Sequence, residues 1–196
     1  MAKIGDITEV RLTNNRIEKF VITDIGDDWY RYDSYECIGH HCWNKKNSNK
    51  GGYPKSDLCK YVDNKLWQLI PEELRPLIIP TKRKYKINEQ DDPVELEQML
   101  FLPSASELFA EDDCMGDEGL YEQLEYYKDF RHRIRANFDE HDYPDWYWLA
   151  SVNGGNSTNA CHVTYYGYAS GSNCSNSHGV PLCFRARAAK QPNLTI

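Results

Sequence analysis

Trp146-Tyr147-Trp148-Leu149-Ala150-Ser151 on one side and Pro181-Leu182-Cys183-Phe184-Arg185-Ala186 on the other enclose the stretch that decides how this chain reads. From Trp146 to Phe184 there is no Asp, Glu, Lys or Arg, where average usage would place about ten. Asn, Ser, Gly, Tyr and Thr fill the space instead. Both flanks are apolar and aromatic and read as buried strands. An uncharged polar insert between core strands is either a linker or a displayed surface. A flexible linker would not carry Val152, Val163, Tyr165, Tyr166 and Tyr168, so 151–179 reads as a displayed surface. Tyr offers a large contact area at low entropy cost, while Ser, Gly and Asn adapt their hydrogen bonds; binding surfaces converge on that mixture.

The rest of the chain is ordinary by composition. Its 196 residues are 40% apolar and 27% charged, with a net charge of −7, and fit a single domain over 1–196. A negative net charge argues against nucleic acid or anionic lipid as a partner. No apolar run approaches the roughly 20 residues of a membrane span, so membrane insertion is not expected. Met1-Ala2-Lys3-Ile4-Gly5-Asp6 lacks the apolar core of a secretory signal. The seven cysteines are an odd number without paired spacing, which predicts free, buried thiols.

Outward from the insert, residues 4–36 predict short strands around Ile7, Val10, Leu12 and Phe20-Val21-Ile22. A turn at Gly26-Asp27-Asp28 leads into Trp29–Tyr32. Residues 44–57 predict a loop. Ser56 is placed to cap a helix carrying Leu58, Val62, Leu66 and Leu69, which Pro71 ends before a short second helix at Glu72-Glu73-Leu74. The charged stretch 81–98 predicts an exposed connection, Met99–Leu102 a buried strand, and Pro103–Phe109 a capped helical turn. Acidic 111–119 predicts a loop. Tyr121–Phe138 predicts one helix burying Leu124, Tyr127 and Ile134, and its Arg131, His132, Arg133 and Arg135 read as the one local basic cluster.

Enzyme motifs are weak throughout. Cys37-Ile38-Gly39-His40-His41-Cys42 offers zinc-type ligands, but no second pair follows at zinc-finger spacing, and neighbours on a strand point to opposite sides. Cys161-His162 and Ser177-His178 place a nucleophile beside an imidazole in sequence only. The glycines lack a phosphate-loop context. The carboxylates at 111–118 and 139–145 leave calcium conceivable but match no EF-hand, so no cofactor is expected.

Several segments in order carry a resemblance: Leu66-Trp67-Gln68-Leu69-Ile70-Pro71-Glu72-Glu73-Leu74, Phe101-Leu102-Pro103-Ser104, Tyr127-Lys128-Asp129-Phe130-Arg131, Trp146–Ser151 and Pro181–Arg185. From about residue 20 onward the chain resembles an α+β domain of C-type-lectin fold, close to the formylglycine-generating-enzyme type, with short strands and two or so helices. Such domains are common in phages and prophages of gut bacteria. Many look like the variable proteins of diversity-generating retroelements, in which adenines of a template repeat are miscopied into the 3′ end of the gene. Codons of the type AAC or AAT cannot become Lys, Glu, Gln, Met or Trp by that route. Those five types make up 40 of the 196 residues, yet none occurs in 152–184.

The resemblance implies a non-enzymatic receptor-binding protein that displays a variable surface to a host-cell protein or glycan. A phage tail fibre or other virion protein would carry it, after synthesis in a bacterial cytoplasm without a signal peptide. The implied ligand-binding residues are Asn153, Asn156, Ser157, Asn159, His162, Thr164, Tyr165, Tyr166, Tyr168, Ser170, Ser172, Asn173, Ser175, Asn176 and His178. Trp146, Trp148, Leu149, Val163, Val180, Leu182 and Phe184 would be scaffold. Two alternatives are a carbohydrate-binding module with a fixed ligand and a metal or redox enzyme using Cys174 and Cys183. Those cysteines do not match the reactive pair of the formylglycine-generating enzymes.

Overall fold

The computed structural model describes residues 2–87, 92–110, 119–137 and 140–188. The acidic stretch 111–118 therefore lies outside the described residues. Strands β1 (Ile7–Arg11), β2 (Ile17–Ile25) and β3 (Trp29–Ser34) follow one another as an antiparallel meander. The Gly26 amide donates to the Trp29 carbonyl at 2.9 Å and closes the turn between β2 and β3. Strand β4 (Gly39–Cys42) follows.

Helix α1 (Asp57–Tyr61) starts at Ser56, whose Oγ accepts from the Cys59 amide. It passes through one π-helical turn (Val62–Leu66) into α2 (Trp67–Leu69) and stops before Pro71. Leu58, Val62 and Leu66 are buried along it. Strand β5 (Ile78–Ile79) comes next.

Three expectations fail in the middle of the chain. Residues 72–74 form a turn rather than a helix, followed by a 3-10 turn at Arg75–Leu77. Within the charged stretch 81–98, β6 (Thr81–Tyr85) and β7 (Val94–Gln98) pair antiparallel, with Thr81, Arg83, Tyr85 and Gln98 buried. Charge hid these strands, because Arg83 is buried by pairing with a distant carboxylate, Glu107, that no local window contains. Met99–Leu102 is largely buried without being a strand, apart from a bridge between Phe101 and Cys183. Helix α3 (Ala105–Leu108) has the expected cap: Ser104 and Glu107 form a capping box.

The single helix expected over Tyr121–Phe138 does not form among the described residues 121–137. Two 3-10 turns (Glu125–Lys128 and Phe130–Arg133) stand there, capped by Asp129, and lead into β8 (Ala136–Asn137), which pairs with β9 (Glu140–Pro144). The apolar positions suited a helix, but Tyr127 is drawn inward by its hydroxyl, which donates to Asp33 at 2.6 Å.

Strands β10 (Tyr147–Val152), β11 (Asn159–Val163), β12 (Ala169–Asn173) and β13 (Ser177–Val180) occupy the uncharged region, and β14 (Cys183–Arg187) ends the described chain. They complete two five-stranded sheets, in the orders β1-β2-β3-β14-β5 and β12-β11-β10-β13-β4. The architecture is α+β, dominated by short strands with a few short helices. One apolar core joins the sheets, with Phe20 and Phe184 from the first and Trp43, Trp148 and Leu149 from around the second. The thiols of Cys37, Cys42, Cys59, Cys174 and Cys183 are free. The expectation of free thiols fails at Cys161, which is disulfide-bonded.

Candidate functional site

The uncharged region is built as two hairpins and a return strand. Between β10 and β11 the turn at 153–158 is tied by Asn156, whose Oδ1 accepts from the Thr158 amide at 3.0 Å and its hydroxyl at 2.8 Å. Between β11 and β12 the turn is short: the Thr164 amide donates to the Tyr168 carbonyl, and the Gly167 amide to the Thr164 carbonyl. Gly167 takes φ 82°, the left-handed residue that a tight hairpin of this kind calls for. A Cβ there would lie 3.0 Å from the Phe130 carbonyl oxygen, so glycine also allows the close approach.

That turn pushes three rings outward. Tyr165, Tyr166 and Tyr168 are 41%, 61% and 63% exposed. Tyr165 and Tyr166 lie 4.2 Å apart by ring centroids, and hydrogen bonding between them raises the Tyr165 phenol. Beneath them, Trp146 runs nearly parallel to Tyr165 at 6.2 Å and stacks on His162 at 4.9 Å. The stack continues inward through His178, 5.2 Å from His162 and 4.5 Å from Trp148.

Strand register explains the assembly. His162 faces Trp148 across β10–β11 and Ser170 across β11–β12, and Ser172 shares that face two residues on. His178 Nε2 and Ser172 Oγ are 2.8 Å apart. Both histidines are buried, and burial pushes each down to about 4; Asp145 offsets this at His178 without reversing it. Among the described residues, neither ring nitrogen of His162 has a hydrogen-bond partner.

The fifteen expected binding residues thus divide. Tyr165, Tyr166 and Tyr168 cluster at one end of β11 and β12, with Thr164 half-buried beside them. Asn156, Ser157, Asn173, Ser175 and Asn176 are exposed at the other end, and Asn153 and Asn159 are half-buried there. The strand between spans roughly 14 Å. Ser170 is half-buried in between, while His162, Ser172 and His178 are buried and available to no ligand without movement. They hold the surface up from below.

The model of a family described as a domain of unknown function, DUF6273, matches residues 18–186. The chain belongs to that family. No curated protein and no solved structure matches it.

Of the scaffold residues expected in this DUF6273 chain, Trp148, Leu149, Val163, Val180, Leu182 and Phe184 are buried. Trp146 is 36% exposed and belongs to the surface stack instead. Sequence reading also missed Asn49, whose side-chain amide donates to the Asn156 and Asn159 carbonyls, both at 2.8 Å. An Asn amid loop lysines carries no local signal of that role.

The other motif residues land apart from one another. His40 pairs with Asp145 at 2.8 Å, and His41 stacks on Tyr61. No group of three or more metal-type ligands forms among the described residues. Cys174 and Cys183 are buried, and burial raises both thiols, Cys174 to about 12. Arg131 is tied to Asp129, and the Arg133 Nε donates to the Tyr127 carbonyl. Arg135 is buried against Tyr127 and Tyr147. Of the basic cluster in the sequence, Arg135 is buried and Arg133 half-buried, while Arg131 and His132 stay exposed.

Proposed function

We propose that this chain is a non-enzymatic recognition domain of C-type-lectin type, engaging its ligand through the tyrosine end of the second sheet. The ligand is a host-cell surface protein or glycan, and the domain is carried on a phage or prophage virion. One observation carries the reading: three exposed tyrosines stand on a tight turn beside Trp146, which stacks on the buried His162, in a stretch of chain with no charged residue. Rigid aromatic contacts above a fixed base lose little entropy on binding. Weak affinity at each copy would be raised by repetition on a particle. The protonated, buried thiols of Cys174 and Cys183 favour recognition over redox chemistry.

Diversification by a retroelement is part of the proposal, supported by the absence of Lys, Glu, Gln, Met and Trp from 152–184. Sequencing the 3′ end of the gene and its flanking DNA across a natural population tests it. Variation is expected at Asn156, Ser157, Tyr165, Tyr166, Tyr168, Asn173, Ser175 and Asn176, matched to adenines in a nearby repeat. The buried His162, Ser172 and His178 are expected to stay constant. Invariant codons with no repeat would sink diversification. A Tyr165→Ala/Tyr166→Ala protein that still bound host cells at full strength would sink the assigned surface.

A further inference from the structure

The chain carries −7 overall, yet residues 45–65 hold six lysines against two aspartates. Beyond the adjacent Lys45-Lys46, they recur every four or five residues along the chain. The fold gathers three of them. Lys45, Lys60 and Lys65 line an open groove of about 830 Å³ between α1–α2 and the edge strand β4. Among the described residues only Lys60 is held in an ion pair there, with Asp57 at 3.3 Å. That aspartate is already satisfied, since it also accepts from the Lys45 amide at 3.1 Å. The lining therefore holds three lysines against one aspartate, Asp57, and carries a net positive charge.

The groove also presents a flat platform. His41 and Tyr61 stack with centroids 4.5 Å apart and planes 19° from parallel. The His41 carbonyl accepts from Trp148 Nε1 at 2.9 Å, which anchors the platform to the core. The side-chain amides of Asn64 and Gln68 line the same groove. Ring platform, adaptable amides and flexible ammonium groups form a lining suited to sugar rings that bear carboxylates.

We infer that this groove binds an acidic oligosaccharide, with Lys45, Lys60 and Lys65 neutralising its carboxylates and the His41–Tyr61 pair stacking on a sugar ring. The rest of the chain favours this occupant over denser polyanions. Duplex DNA carries a charge about every 1.7 Å and would extend from the groove over a surface of net negative charge. An oligosaccharide bears sparser charge and ends within the groove. The site lies at the β4 edge, opposite β12 in the sheet order. Four strand spacings, roughly 19 Å, separate those edges. The inference stands independently of the tyrosine surface.

Titration calorimetry of the whole chain with a carboxylated oligogalacturonate, beside its methyl-esterified form, tests it. Binding of the acid form is expected, at least tenfold weaker in 300 mM than in 50 mM NaCl. At low salt the ester should bind at least tenfold more weakly than the acid. Lys45→Ser/Lys65→Ser, both exposed positions, should weaken the acid form at least tenfold, with an unchanged circular dichroism spectrum. Tyr166→Ala should leave that affinity unaltered. No binding, equal binding of the ester, or an unaffected double variant overturns the inference. Equal or tighter binding of a DNA duplex or of phosphatidylserine vesicles would overturn the choice of a sugar.

Discussion

The two five-stranded sheets bury polar groups by opposite means. Around the first, ions are paired inside the protein. Arg31 Nε donates to Asp33 at 2.8 Å, and Arg31 also pairs with Glu107. Arg83 binds both Glu107 oxygens, at 2.6 and 2.7 Å. Tyr127 hands its proton toward Asp33 while accepting from Arg135 at 2.7 Å. Burial alone would raise the Glu107 carboxyl, but Arg31 and Arg83 outweigh it and hold it well below the usual range. The second sheet has no ions in its own strands from β10 to β13; it buries neutral imidazoles against indoles instead. A network of buried ions needs every member and tolerates little substitution. Neutral rings and hydroxyls require fewer partners, so the sheet that carries the exposed surface is the one free of buried charge.

The largest break in this contrast is Glu107→Ala. It strands two buried arginines and removes the α3 cap, so stability to urea should fall by about 5 kcal/mol or more, enough to leave little folded protein. Acid tests the second sheet. The folded values of His162 and His178, about 4, lie below the ordinary 6.5. As pH falls from 6.5 toward 4 the unfolded chain takes up protons first, and stability drops by up to about 3 kcal/mol for each histidine. Asp145 and His40 face His178 from neighbouring elements and are included in that shift. Glu18 runs the other way, because its burial raises it to about 7, and falling pH then favours the fold between 7 and 4.5. Comparing urea midpoints of the chain and of His162→Gln across that range isolates the imidazole. A flat difference would show that His162 is not held neutral.

Gly167→Ala should cost about 1–2 kcal/mol, through its left-handed backbone and the Phe130 carbonyl. Thermal unfolding reads it, and a neutral result would mean that the turn relaxes. Tyr166→Ala should change stability by no more than about 0.5 kcal/mol while weakening host-cell binding. Loss of both together would make the ring structural.

How much could be read in advance differed by region for a physical reason. The short strands within 4–36, the Ser56 cap and the capped turn at 103–109 were legible because they depend on neighbours within a few residues. The β6–β7 pairing was not, since Arg83 is buried by a carboxylate 24 residues away. The Tyr121–Phe138 segment misled because its apolar spacing suits a helix while the buried hydroxyl of Tyr127 answers to Asp33, 94 residues earlier.

Composition alone marked 151–179 as a surface carried between core strands, because charge is absent there and aromatic residues are not. Which of its residues face outward was decided by tertiary structure. His162 and His178 have the same polar character as their exposed neighbours, and they are buried because strand register sets them between Trp146 and Trp148. The lysine groove depends on the fold in the same way: Lys45, Lys60 and Lys65, up to 20 residues apart in sequence, become one electrostatic site because they line one groove. Local sequence sets the period and the caps. Burial of a polar group depends on what arrives from elsewhere in the chain.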